Sequence, residues 1–267
     1  MKKQMKIHSV IKKGEDHVVF CEDFMVMNDH GRFFVGAVFD GCSGGNDSHF
    51  ASSLFGKVFN QIFKNGSLSG ETLEAKARDF TRKFVNKLFD IKVSLQLEEN
   101  DMLATFVVLI YDKVHGEALT MTVGDGVVHC DGEIFEFKNE RFKFSHPTQY
   151  MDMPDYISYD LVELGFDGSY FDAWYDKHVK VKKFIDPKDI CISTDGILSF
   201  KKPEEPIDVI DFLMKDSQWC DNKIMLSKKI NVLRTRFKTI HKDDISIIRL
   251  VFNSEENDKS NNEDGNN

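Results

Sequence analysis

Several acids in this sequence stand where strand-like runs end or begin, and together they suit the binding of hard divalent cations. Asp40 closes the run from Arg32 to Phe39 and is followed by Gly41. A glycine there lets the backbone turn tightly, leaving its carbonyl free to face the same point as the carboxylate. A carboxylate and a bare carbonyl are hard oxygen ligands, suited to Mg2+ or Mn2+. An Asp-Gly step is first of all a turn signal, so Asp40 counts as a ligand only with partners further along. Asp125 follows the run LTMTV, Asp195 follows ICIST, and Asp243 and Asp244 precede ISIIRLV. Glu22 and Asp23 lie inside a strand-like stretch between Cys21 and Phe24. An acid in apolar surroundings is expensive unless paired or metal-bound. A shared pair of dications is the simplest common partner. Two such ions roughly 3.5–4 Å apart can generate a bridging hydroxide and clamp the oxygens of an in-line displacement. Hydrolysis of a phosphate ester is the reaction this chemistry suggests.

The elements that must position these acids are legible from hydrophobic periodicity. Met5 to Lys12 and His17 to Met27 read as strands joined at Gly14, and Gly31 turns into the strand before Asp40, which suggests an antiparallel meander. Behind the N-cap candidates Asn46, Asp47 and Ser48, the rows Phe50, Leu54, Val58, Ile62 and Ala51, Phe55, Phe59, Phe63 form a broad apolar helix face ending at Asn65-Gly66. A longer helix within Glu71 to Asn100 carries Leu73, Ala77, Phe80, Phe84, Leu88, Ile91 and Leu95. Short strands follow at Ala104 to Tyr111, Ala118 to Val123, Val127 to Cys130 and Ile134 to Phe137, spaced like hairpins. From Lys138 to Lys177 no period is apparent, and the aromatic content suggests an ordered flap. Strands at Val179 to Phe184, Asp189 to Thr194 and Ile245 to Phe252 enclose helices at Pro206 to Met214 and Ile224 to Phe237. This order predicts an α+β protein: two antiparallel sheets packed face to face with helices outside, a four-layer α-β-β-α sandwich. One domain over residues 1–252 is expected, with a disordered acidic tail over 253–267.

Composition narrows the class. The chain of 267 residues has a formal charge of -9. Nearly half of it sits in the tail, where Glu255, Glu256, Asp258, Glu263 and Asp264 face Lys259 alone. A moderately acidic body gives no electrostatic footprint for nucleic acid or an anionic membrane. The five cysteines are scattered and odd in number, which argues against a disulfide framework or a zinc knuckle. No signal peptide or membrane span is expected, and a cytoplasmic monomer is the simplest expectation.

The motifs FDGCSGG, VGDG, ISTDGILSF and KDDISII, with Glu22-Asp23 upstream, resemble in order and spacing those of the metal-dependent serine/threonine phosphatases, the protein phosphatase 2C or PPM family. The likeness runs to about Phe252 and is greatest to the compact bacterial branch. It implies hydrolysis of phosphoserine and phosphothreonine in a phosphorylated protein substrate, with two or three Mn2+ or Mg2+ ions. It implies that Asp40 bridges two metals, that the Gly41 carbonyl binds one, and that Asp195 and Asp243 complete the ligand shell of the second metal. Asp23, with Glu22, would hold metal-bound water, and Asp125 with Asp195 a third, looser ion. Lys138 to Lys177 falls where the family has its variable flap. Two positions depart from the pattern. Val18 stands where the family usually has a phosphate-binding arginine, and the neighbouring His17 resembles a histidine of one bacterial subgroup, which implies that His17 takes part of that role. Cys42 replaces the histidine of many eukaryotic members, and a thiol of pKa about 8.5 donates poorly to a leaving alkoxide.

Each residue also has a plainer reading. Asp40 and Asp195 fit turns, Gly124-Asp125-Gly126 fits a hairpin, Glu22-Asp23 fits the face of an edge strand, and Asp243-Asp244 fits a surface loop. His17 reads as structural or solvent-facing, Cys42 as a packed side chain, and His146, His178 and His241 as surface residues. Trp174 and Tyr175 fit either peptide binding or packing of the flap. At the level of function the rivals are a weak or inactive family member serving as a binding or regulatory module, and an aspartyl-nucleophile phosphatase. The latter wants a second Asp at position 42, where Cys stands.

Overall fold

The structure is a computed structural model, and it describes residues 4–65, 68–138, 142–143, 150–151, 154–166 and 170–253. In chain order the elements are β1 Gln4–Lys12, β2 Asp23–His30, β3 Phe33–Gly41, α1 Ser48–Asn65, α2 Leu73–Leu95, β4 Ala104–Asp112, β5 Glu117–Val123, β6 Gly126–Cys130 and β7 Glu133–Phe137. They continue with the short β8 Phe142–Lys143 and β9 Tyr150–Met151, then α3 Ile157–Phe166, α4 Tyr170–His178, β10 Lys180–Ile185, β11 Asp189–Ser193, α5 Val209–Met214, α6 Met225–Thr235 and β12 Ile245–Asn253. Two five-stranded antiparallel sheets result, in the orders β1-β12-β11-β6-β7 and β10-β5-β4-β3-β2. The expected four-layer sandwich is present.

Three apolar layers explain it. Between the sheets lie Phe34, Val38, Val107, Leu109, Val128, Ile190, Ile192, Ile248 and Leu250. The alternate residues of the same strands, Val35, Ala37, Phe39, Phe106, Val108 and Ile110, face α1 to α4. Cys191, Ile245 and Ile247 face α5 and α6. Strands with period-2 side chains and both faces covered must read as continuous apolar runs, and β4 is buried at every position. Thr72 caps α2 by accepting from the Ala75 amide at 3.1 Å, and Gln96 in the left-handed region (φ 53°) stops it.

Three expectations change. The first strands form no meander: β1 pairs with β12 in one sheet, while β2 and β3 pair in the other. Residues 13–22 are a loop, so Glu22 precedes β2 and Asp23 opens it. The side chain of Asp244 draws this loop out of strand pairing by accepting from the Gly14 amide at 2.6 Å and from the Glu22 amide. Second, β5 and β6 are no hairpin, because they belong to different sheets and Gly124-Asp125 carries the chain across. Gly124 (φ 83°) and Gly126 (φ 146°) both adopt conformations that favour glycine, and a Cβ there would lie 2.5 Å from Thr105 Cγ2 and 2.4 Å from Val107 Cγ2. Third, the stretch read as irregular holds α3 and α4. They bury Ile157, Leu161 and Leu164, then Phe171, Trp174 and Tyr175, against the helices' side of the core. Each helix is shorter than the window in which helical periodicity stands out. Trp174 and Tyr175 are therefore packing residues. Within the flap, residues 139–141, 144–149 (His146 among them), 152–153 and 167–169 lie outside the described residues, as does the tail from 254 onward. Among the described residues no helix is long and apolar enough to cross a membrane.

Candidate active site

The acids singled out above come from five chain segments that end at one edge of the sandwich. Asp23 and Asp40 are register partners across β2 and β3, and Asp40 is paired with Thr105 of β4. Asp125 occupies the crossing from β5 to β6, Asp195 opens a 3-10 turn after β11, and Asp243 precedes β12. Carboxylate oxygens of Asp40, Asp125 and Asp195 all lie within 4.8 Å of one another. Asp243 stands beside this trio. Its Oδ1 accepts from the Asp244 amide at 2.8 Å and lies 3.3 Å from His17 Nε2.

The sequence folds this way locally because glycines admit close approaches. A Cβ on Gly41 would lie 2.1 Å from the Ser48 carbonyl oxygen, and one on Gly196 would lie 1.7 Å from that of Asp244. Neither glycine has a positive φ. The two Asp-Gly steps are thus needed for space and not for a turn, and Gly41 is the last residue of β3.

Burial and mutual repulsion dominate the electrostatics. Asp40 is pushed well above the usual carboxylate range, first by desolvation and then by the charges of Asp23, Asp195, Asp243 and Asp125. Desolvation raises Asp195 to about 7, with Asp125 and Asp243 adding to it. Asp125 rises to about 6, chiefly by desolvation. Among the described residues, no lysine or arginine contacts this trio, and the buried Oδ1 atoms of Asp125 and Asp195 have no hydrogen-bond partner. Orphaned buried oxygens, all from carboxylates, fit a hard dication and little else. The residues present therefore fit Mg2+ or Mn2+.

Around this centre lies a frame of neutral and charged partners. Thr194 Oγ1 donates to Asp23 Oδ2 at 2.9 Å and accepts from the Ser246 amide at 3.0 Å, which ties β2 to β12. Glu22 accepts from Ser43 Oγ at 2.7 Å. His17 is not solvent-facing. Its Nδ1 lies 2.7 Å from Asp244 Oδ2, and its Nε2 faces Asp243. Burial works against a charge on this ring, but the hydrogen bond to Asp244 and the nearby Asp244, Glu22 and Asp243 outweigh it and raise its pKa. His17 Nδ1 is thus taken up by Asp244, while Nε2 lies near Asp243 and 3.5 Å from Ser43 Oγ.

The motifs give no role to three residues of this frame. Asp244 is 1% exposed, and it anchors the loop that carries His17 and Glu22. Thr194 looks like the last residue of a strand. Tyr156 is buried beside Cys42, its hydroxyl pushed far up by burial and that thiol. Only Asp244 left a trace in the sequence, as the second acid of Asp-Asp. His178 and His241 are buried, contrary to the surface reading. His178 joins a second group with Asp155 and Asp160. There His178 Nδ1 bonds Asp155, Trp174 Nε1 donates to Asp160 at 3.0 Å, and the Trp174 and His178 rings stack, so the group is internally satisfied and ties α3 to α4.

Comparison with known proteins decides the family. The family model described as "Protein phosphatase 2C" matches residues 14–233. The chain belongs to the protein phosphatase 2C family. Among curated proteins none matches it. Among solved structures, the serine/threonine phosphatase Stp1 of Staphylococcus aureus is 12% identical, with 94% of this chain and 96% of that one covered and a TM-score of 0.56. The catalytic domain of PstP, solved with two manganese ions, is 11% identical over 94% and 99%, TM-score 0.53. RsbX in complex with magnesium is 16% identical over 93% and 96%, TM-score 0.52. At these identities the likeness is one of fold, and it agrees with a protein phosphatase 2C sandwich.

Proposed function

We propose that this protein phosphatase 2C member hydrolyses phosphoserine and phosphothreonine in proteins with the help of Mn2+ or Mg2+. The observation that supports this most is the convergence of Asp40, Asp125 and Asp195, with oxygens within 4.8 Å and no protein cation among the described residues to neutralise them. In this proposal Asp40, Asp195 and Asp125 hold the ions, with Asp243 at the margin and the Gly41 backbone beside Asp40. Bound there, the ions would supply Lewis acidity, lowering the pKa of water and neutralising charge on the phosphate. Asp23, fixed by Thr194, and Glu22, fixed by Ser43, would accept hydrogen bonds from water in the site. His17, held by Asp244 through Nδ1, would orient part of the substrate phosphate through Nε2, which lies beside Asp243. We read residues 1–252 as one phosphatase domain.

The test is turnover of p-nitrophenyl phosphate and of phosphoserine, phosphothreonine and phosphotyrosine peptides with Mn2+, Mg2+ or EDTA. Metal-dependent turnover of the first two peptides, lost in Asp40→Ala and in Asp195→Ala, is expected. Activity retained in both variants would remove the site. A second reading, a regulatory module with little turnover, is favoured by Val18 in the usual arginine's place. Metal binding without hydrolysis of any of the substrates would select it.

A further inference from the structure

Val18, Val19 and Phe20 are 86%, 71% and 54% exposed, in one run, between His17 and Glu22. Single exposed apolar residues are ordinary, but three in succession on a fixed frame at the mouth of a candidate site call for an occupant. The frame is well fixed. The amides of Glu15 and Asp16 donate to the carbonyls of His241 and Lys242 at 3.2 and 2.9 Å, and Gly14 and His17 are held by Asp244. Lys13 Nζ donates to the Val18 carbonyl at 2.9 Å. The Phe20 ring stacks on His49, with centroids 4.0 Å apart and planes 17° apart. The loop thus presents its apolar side chains to water in one ordered arrangement, which lowers the entropy a partner must remove on binding.

What surrounds the run says what the partner is. Asp16 is exposed just before it, Glu22 closes it, and Asp47, paired with His49, lies beside Phe20, while the cation of Lys13 is engaged by the Val18 carbonyl. An apolar patch edged by acids complements a segment with apolar and basic side chains and repels one with acidic flanks. Val18 follows directly on His17, whose Nε2 lies 3.3 Å from Asp243 Oδ1, and consecutive Cα atoms are about 3.8 Å apart, so the run starts beside the candidate site, where the neighbours of a phosphorylated side chain would lie.

We propose that Val18, Val19 and Phe20 are the substrate-selecting tip of this protein, docking an apolar side chain next to the phosphorylated residue of a protein segment whose outer flanks are basic. This rests on the phosphatase reading, and binding and turnover separate the two.

The experiment uses the whole chain with Mn2+ and fluorescent phosphoserine peptides that differ only in Leu or Ser beside the phosphoserine and in Lys or Glu beyond it. Anisotropy measures binding, and phosphate release measures turnover. The Leu/Lys peptide should bind about tenfold tighter than the Ser/Lys peptide, the effect of burying one apolar side chain, and the Leu/Glu peptide should bind more weakly than Leu/Lys. The combined Val18→Ser, Val19→Ser, Phe20→Ser variant should lose the Leu preference while turning over p-nitrophenyl phosphate as before. Val19→Ser alone should lose part of it, which guards against a misfolded triple variant. Equal binding of Leu and Ser peptides, or a preference that survives in both variants, would overturn the docking tip even where turnover is normal. A Leu preference in binding without turnover of any substrate would keep the tip and remove the phosphatase reading. Parallel loss of p-nitrophenyl phosphate turnover in Val19→Ser would also overturn it, showing that the loop supports the site and does not select.

Discussion

Two buried clusters of charge in this molecule are built on opposite plans. Under α5 and α6, Arg249 is fully buried and donates to both carboxylate oxygens of Asp189, at 2.9 and 2.5 Å, and to the carbonyls of Leu213, Lys215 and Asp216. Lys229, equally buried, donates to the Phe212 and Asp216 carbonyls and lies 3.0 Å from the Asp216 carboxylate. Every charge there has its counterpart within the chain. In the candidate site, Asp40, Asp125 and Asp195 face one another with no cation of the chain in contact among the described residues. A closed network specifies structure; an open one of a single sign is tolerated only where something from outside completes it.

The comparison can be broken in order of effect. Asp40→Ala and Asp195→Ala should bring metal-dependent hydrolysis down to the rate measured in EDTA. Because each removes a repelling charge, each should also raise the melting temperature of the metal-free protein, by roughly 2–4 °C per kcal/mol of repulsion relieved. A melting temperature that falls in both would mean that these acids stabilise the fold. Arg249→Ala should do the reverse. It strands Asp189 and destabilises by about 3–5 kcal/mol, measured by urea denaturation, without changing metal affinity in whatever fraction remains folded. Saturating Mn2+ at about a hundred times its dissociation constant should stabilise the wild type by about 2.7 kcal/mol, while EDTA and the Asp195→Ala variant should show no such shift in calorimetry.

Smaller effects sharpen the contrast. Gly196→Ala should cost about 1–3 kcal/mol and weaken metal binding, since its Cβ would meet the Asp244 carbonyl, whereas Gly44→Ala, whose nearest neighbour would be Cys42 Sγ at 3.6 Å, should be neutral on both measures. The last concerns a paired acid at the β4–β5 turn. Asp112 is held well below the usual range although burial opposes it, because Arg32, His115 and the amides of Val114 and His115 bond the ionised form. A depressed folded-state pKa means that the unfolded chain binds more protons at acid pH. The stabilisation is therefore complete above the unfolded value of about 3.9 and is lost as pH falls below it. Asp112→Asn should flatten that acid limb in thermal melts; an unchanged limb would assign it elsewhere.

Much of this was legible residue by residue. The rows of α1 and the stripe of α2 follow from a 3.6-residue period that burial enforces, and the central strands announced themselves as apolar runs because both their faces are covered. The acids were visible because a carboxylate directly after such a run is unusual. Less was legible where helices were short, as in α3 and α4, or where the decisive contact was distant in sequence. Asp244 reaches back across 230 positions to the Gly14 amide, and nothing local records it.

By itself, then, the sequence determined the longer strands and helices and which acids stand at their ends, because periodicity and composition are local properties. It could not determine that β5 and β6 part company between two sheets, that Gly41 and Gly196 admit a neighbouring backbone, or that His17 is held by the carboxylate of Asp244. Those depend on which surfaces meet, and only packing the two sheets face to face brings residues 17, 40, 125, 195 and 243 to one edge.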